Sequence, residues 1–182
     1  MLIAVLIAAA MVVLWGVWIF NRLIRHRNRT LAAWSDIDVQ LQRRHDLIPK
    51  LVAAVRGYSE YERATLVAVT ELRERSQQAQ HLSEKAQLEH QIAVGLGRLI
   101  ALSEAYPDLK ADQNFLELQS QLTEIEDHLQ YARRFYNGAV RQFNTLIQSF
   151  PDLIVASSFG FRESEFFDAE DAAEAPVQIE LG

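Results

Sequence analysis

Residues 115–150 read FLELQSQLTEIEDHLQYARRFYNGAVRQFNTLIQSF. Taken in alternating steps of three and four, they give Phe115, Leu118, Leu122, Ile125, Leu129, Ala132, Tyr136, Ala139, Phe143, Leu146 and Phe150. This is an unbroken heptad seam without glycine or proline, and it predicts one helix of roughly 54 Å at 1.5 Å per residue. Polar residues (Gln119, Gln121, Glu126, His128) flank the early seam, and Phe135, Val140 and Ile147 widen the later stripe. A narrow stripe suits one neighbouring helix, whereas a wide one suits burial among several. Asn114 with Glu117 fits a capping box at the start, and Pro151 blocks continuation at the end.

The rest of the chain supplies the packing surfaces. Among 182 residues there are only 7 Gly and 4 Pro, and 49% of the residues are hydrophobic, which favours an all-helical chain. With no cysteine there is neither a disulfide framework nor thiolate chemistry. The net charge of -6 is unevenly spread: residues 22–29 hold four arginines and no acid, and residues 168–182 hold acids and no base. This balance argues against nucleic acid as a partner, because such binders need a basic face.

Leu2 to Phe20 (LIAVLIAAAMVVLWGVWIF) carries no charge and reaches about 28 Å as a helix, close to the hydrocarbon thickness of a bilayer. The absence of a basic n-region and of a clear cleavage site argues against a signal peptide. Residues 1–21 therefore read as an uncleaved single-span transmembrane anchor, in contact with lipid from Leu2 onward. Trp15, Trp18 and Phe20 gather at one end, where amphipathic rings prefer the headgroup region. Arg22, Arg25, Arg27 and Arg29 follow in a basic juxtamembrane segment, residues 22–30. They place the bundle in the cytoplasm and the amino terminus outside, and they suit anionic headgroups equally well.

From residue 28 the pattern turns amphipathic. Leu31, Trp34, Leu41, Ile48, Val52 and Val55 share a stripe on which Asp38 and His45 also fall. Polar residues in a seam set register or lie at its edge; a catalytic Asp38/His45 pair is disfavoured because seven residues separate them by about 10 Å along a helix. Pro49 removes a backbone donor and frees the carbonyl of His45, so a kink or a new helix start is expected there, and Gly57 is the next weak point. Residues 28–79 read as one kinked helix or two. The charged run Glu71–Arg75 reads as a solvated face, and Ser76–His81 as a loop, with Ser83 as the next N-cap. Leu88, Ile92, Gly95, Leu99, Leu102 and Tyr106 form another seam, on which Gly95 admits a close neighbour. Tyr106–Lys110 reads as the turn into the long helix. Short connections between long striped helices make antiparallel neighbours.

Four ordered blocks carry a family resemblance: NRLIRHRNR (21–29), AWSDIDVQLQRRHDLIPKLV (33–52), EAYPDLKADQNFLELQSQL (104–122) and ARRFYNGAVRQFNTLIQSFPDLIVASSFGFRESEFF (132–167). With the anchor before them, the chain resembles the LemA family of bacterial membrane-anchored helical proteins along essentially its whole length. The resemblance implies an all-α fold: a single N-terminal transmembrane helix, then an up-and-down antiparallel bundle of three to four long helices spanning 28–167. It also supports the outside amino terminus and a bacterial inner-membrane location. It implies no enzyme and no cofactor, and some relatives act in shaping bacterial organelle membranes.

The residues agree. The five histidines form no His-Glu-x-x-His or paired Glu-x-x-His arrangement, and Glu124 with His128 reads as a surface contact. There is no phosphate-cradling loop or nucleophile elbow, so no cofactor, metal or small-molecule substrate is expected. Arg133, Arg134 and Arg141 beside Tyr131, Phe135 and Tyr136 read as solvent-facing arginines over core aromatics. In the Phe-rich segment 151–167, Phe159, Phe161, Phe166 and Phe167 are the candidate interaction surface; the other reading is that they fold back and cap the bundle. The acidic tail, 168–182, has little to bury, although Val177–Leu181 suits strand addition to a partner. The expected function is a non-enzymatic membrane-anchored scaffold or adaptor that binds a protein partner or self-associates. A lipid-remodelling protein is the alternative.

Overall fold

The heptad seam is realised as a 36-residue helix, Gln113–Gln148, in the computed structural model, which describes residues 1–56 and 63–167. Among the described residues the order is α1 (Leu2–Arg56), α2 (Arg63–Gln78), α3 (Leu82–Leu102), a 3-10 turn (Ser103–Ala105), α4 (Pro107–Ala111), α5 (Gln113–Gln148) and α6 (Asp152–Ser158). The fold is all-α, and its long helices alternate in direction. Arg44 meets Glu126 and Trp34 meets Tyr136, so α1 and α5 are antiparallel. Ser76 meets Glu89 and Val69 meets Gly95, so α2 and α3 are antiparallel as well. The seam residues Phe115, Leu122, Ile125, Leu129, Tyr136, Ala139 and Phe143 are buried, and Val140 and Ile147 join them. Phe135 and Phe150 face outward instead.

The most consequential departure from expectation is α1, a single helix of 55 residues that runs from the apolar stretch through Pro49. Residues 28–79 are thus two helices, but the first does not begin at residue 28 or break at Pro49. The carbonyl of His45 that Pro49 leaves without its helical donor accepts from Arg73 Nε of α2 at 2.8 Å. A donor from a neighbouring helix therefore satisfies the backbone group, and the helix continues. The buried stripe of α1 is Ile37, Leu41, Arg44, Ile48, Leu51 and Val55, with His45 and Leu47 beside it. Leu31 and Asp38 lie outside it and are exposed. Gly57 and the tail 168–182, with its candidate strand, lie outside the described residues.

Helix ends also differ locally. The cap of α5 is Asp112, whose carboxylate accepts from Phe115 N at 3.0 Å, which leaves Asn114 inside the first turn. Aspartate two residues upstream does the capping chemistry better because it is charged at the positive helix end. The loop read over 76–81 shrinks, since α2 continues to Gln78 and Ser76 is buried. Ser83 sits within α3, which starts at Leu82 after His81.

Gly95 packs where a side chain would collide: a Cβ there would lie 2.5 Å from Val69 Cγ2, a buried and β-branched neighbour with little rotamer freedom. Gly95→Ala should therefore lower stability by about 1–3 kcal/mol despite its better helix propensity. Thermal unfolding in detergent checks this, and Gly95→Ala with Val69→Ala should recover part of the loss.

After α5 the chain turns through a cis Phe150–Pro151 bond into α6, which ends in a Schellman motif. Phe161 N donates to Ala156 O at 3.0 Å and Gly160 N to Ser157 O at 3.4 Å, with Gly160 at φ +70°. Any L side chain is strained there, so Gly160→Ala should cost about 1–2 kcal/mol, read from the same melts.

The extended segment that follows lies back along α5. No strand occurs among the described residues for it to join, and side chains supply its backbone partners. Asn144 donates from Nδ2 to Ser164 O and accepts from Ser164 N, both at 2.9 Å. Tyr136 OH donates to Glu165 O at 2.8 Å, and Phe167 N donates to Asn137 Oδ1 at 3.0 Å. Two buried asparagines thus do for this strap what a neighbouring strand would do.

Candidate functional site

Two places concentrate chemistry: the level where the apolar stretch ends, and a charged cluster inside the bundle. At the first, α1 is exposed from Leu2 to Trp18 except for half-buried Gly16, and it is the one described helix long and apolar enough to cross a membrane. The outer packing begins before that stretch ends. Ile19 and Leu23 are fully buried with Phe143, Ile147 and Ala156. Phe20 packs against Phe159 at 4.9 Å and Phe161 at 5.8 Å between ring centroids. Arg22 forms an ion pair with buried Asp152, and its guanidinium lies 4.8 Å over the Trp18 ring.

The other basic residues differ in surroundings. Arg29 lies 5.3 Å over the Phe135 ring, and Arg25 and Arg27 are exposed. His26 does not add to their charge at neutral pH: burial lowers its pKa first, and the charges of Arg29, Arg22 and Arg25 lower it further. Leu2, Trp15 and Trp18 are all exposed. Beside this level, a cleft of about 550 Å³ is lined by Phe20, Ile24, Arg27, Phe143, Phe161 and Arg162, among others.

The four phenylalanines of the candidate surface divide. Phe167 is fully buried, 5.3 Å from the Trp34 ring and with the Arg133 guanidinium 5.2 Å from its own. Phe161 and Phe166 are half-buried, whereas Phe159 is 65% exposed. The segment caps the bundle through its far end and leaves an apolar rim of Phe150, Leu153, Ile154 and Phe159 at its turn.

The second place is the cluster around Glu89, which is fully buried on α3. Arg44 Nη1 donates to Glu89 Oε2 at 3.2 Å and to Glu89 O at 3.4 Å, and its Nη2 pairs with Glu126 of α5. His45 Nε2 lies 2.7 Å from Glu89 Oε1, which also accepts from Ser76 Oγ at 2.5 Å. A carboxylate can only accept, so His45 carries its proton on Nε2. Burial alone raises the Glu89 pKa. The hydrogen bonds from His45 and Ser76, together with the charges of His45 and Arg44, outweigh it and hold the carboxyl below its ordinary value. All four long helices are joined through this one carboxylate and its arginine.

Sequence reasoning placed His45 in a seam but missed Arg44, Ser76 and Glu89. Asp38 does not bond to the cluster; it pairs with Lys85 at 3.1 Å on the surface. Glu124 and His128 are exposed and 3.6 Å apart, an i,i+4 surface contact. No group of three or more potential metal ligands occurs among the described residues. Arg134 covers Tyr131 at 4.8 Å, and Arg141 is exposed. Burial, helped by the Glu165 charge, pushes the Tyr136 hydroxyl up to about 12, so it stays a donor to the strap.

Comparison with known proteins bears on the whole arrangement. "Protein LemA" of Metamycoplasma hominis is 28% identical over 158 residues, covering 86% of this chain and 72% of that protein. "Magnetosome protein MamQ 2" of Paramagnetospirillum magneticum is 25% identical over 184 residues, covering 87% of this chain and 68% of that protein. "Magnetosome protein MamQ" of Magnetospirillum gryphiswaldense is 23% identical with the same coverage. The LemA family profile matches residues 33–181, which include the charged cluster, the turn between α5 and α6, and the strap; the chain belongs to the LemA family.

Proposed function

We propose that this protein is a non-enzymatic scaffold or adaptor, held by one span in the bacterial inner membrane, with its amino terminus outside and its bundle in the cytoplasm. The observation that carries this reading is the continuity of α1. One helix joins the exposed apolar stretch to the bundle core without a linker, so the bundle is held rigidly at the bilayer and not on a tether. The arginines that follow the apolar stretch support the cytoplasmic side by the positive-inside rule. The partner is another protein or a second copy of the chain, with no nucleic acid or small-molecule substrate.

Mass determination with crosslinking on the full chain in nanodiscs tests this reading, alongside pull-down from mild detergent. Reproducible capture of one membrane or cytoplasmic protein, or a defined oligomer, is the expected result. A monomer with no reproducible partner counts against it. The second reading is a membrane-shaping protein, favoured by the apolar rim beside the end of the span and by the magnetosome names of two relatives. Vesicle deformation by the full chain separates the two. The fragment 28–182 does not serve, because it lacks Ile19, Phe20, Arg22 and Leu23, which pack on α5 and α6.

A further inference from the structure

The elbow between α5 and α6 has the composition of a surface made to leave water. From residue 149 to residue 161 the sequence SFPDLIVASSFGF contains one charge, Asp152. That charge is turned inward, nearly fully buried and paired with Arg22. Facing outward are Phe150, Leu153, Ile154 and Phe159, between 47% and 80% exposed. The hydroxyl donors of the elbow are also taken up internally. Ser149 Oγ donates to Thr145 O at 2.6 Å, and Ser157 and Ser158 donate to Ile154 O at 3.1 and 2.7 Å. An exposed turn in water has no need to turn its single charge inward beneath four large outward-facing apolar side chains; a turn in contact with acyl chains does.

Position says which apolar medium covers it. Because α5 runs antiparallel to α1, its carboxyl-terminal end arrives where the apolar stretch ends. Asp152 is fixed to Arg22 and Phe159 to Phe20, and Ala156 shares a buried cluster with Ile19 and Leu23. The rim is therefore level with exposed Trp18, and its apolar surface continues that of the span.

We propose that the α5–α6 elbow is a second membrane contact, with Phe150, Leu153, Ile154 and Phe159 seated at the headgroup–acyl boundary of the bilayer that α1 spans. It rests on the reading of α1 as a span. The elbow then adds a second anchor that sets the tilt and rotation of α1, and of the bundle continuous with it, relative to the bilayer.

The chain contains no cysteine, so single cysteines label cleanly. Ile154→Cys and Phe159→Cys, both at exposed positions, are labelled with bimane in the full chain. The protein is reconstituted in vesicles of phosphatidylethanolamine and phosphatidylglycerol. Val12→Cys in the apolar stretch and Val94→Cys on α3 serve as references. Quenching is compared between aqueous iodide and lipid nitroxides, one held at a shallow acyl position to report the elbow and one at a deep position to report residue 12. The elbow reporters should be quenched by the shallow nitroxide severalfold more than the one at residue 94, and protected from iodide. Iodide access like that of residue 94, with lipid quenching kept at residue 12, overturns the elbow contact and leaves the span standing. Protection from iodide without lipid quenching also overturns it, and points to a second copy over the rim. Loss of lipid quenching at residue 12 as well removes the span and the elbow together.

Discussion

Glu89→Ala should be among the most damaging single substitutions in the bundle, lowering stability by about 3–5 kcal/mol in detergent melts. The loss is not that of one favourable ion pair. Removing the carboxylate leaves Arg44, only 1% exposed, with Glu126 as its remaining acid partner, and leaves His45 and Ser76 without the acceptor they share. Glu89→Gln keeps the shape and one acceptor but loses the charge, so it should fall between wild type and Glu89→Ala. Replacing both members by apolar residues of similar size, Arg44→Met with Glu89→Leu, should restore only the part of the loss that comes from the unpaired Arg44 charge, because His45 and Ser76 still lack their acceptor. If the double variant is as unstable as Glu89→Ala, the cluster does more than cancel its own desolvation.

The same carboxylate sets an acid limit. Its folded-state pKa lies below the ordinary value of 4.5, so the folded state holds fewer protons than the unfolded one through that range. Its contribution is therefore fully present above the unfolded value and is lost as pH falls through the lower folded value. Between neutral pH and about pH 5, Glu89 should leave stability unchanged; the decline belongs below the ordinary carboxylate range. In Glu89→Gln that part of the acid dependence should be missing, which a pH series of melts checks.

The periodic elements were legible because their cause is local. The steps of three and four from Phe115 to Phe143 predict both α5 and its buried face, and the uncharged run from Leu2 predicts the exposed start of α1. What could not be read depends on partners distant in sequence. Ile37, Leu41, Arg44, Ile48, Leu51 and Val55 are spaced as regularly as the stripe chosen through Asp38 and His45. Choosing between the two requires knowing that Glu89 waits opposite Arg44. Pro49 argued for a kink or a new helix start because its cost is local, while Arg73, which supplies the missing donor, comes from another helix. The Phe-rich segment had enough apolar side chains to cap the bundle or to meet a partner. Only the positions of Asn137 and Asn144 decide which phenylalanines turn inward.

That division gives the second large effect. Phe167→Ala should cost about 3–5 kcal/mol, because the ring is fully buried against Trp34 and its removal leaves a cavity that the clamped strap cannot close. The backbone around it is held by Asn137, Tyr136 and Asn144, so the chain cannot slide inward to fill the space. Hydrogen exchange across residues 161–167 should rise with the loss of stability, since the strap and the α1–α5 core share this residue. Phe159→Ala removes the same side chain from a position 65% exposed, and should change the melt by less than about 1 kcal/mol. Two phenylalanines eight residues apart thus test separate properties. Phe167 holds the strap to the bundle, and a change in membrane contact without a change in stability at Phe159 would mark the elbow as a surface kept apolar for something other than folding.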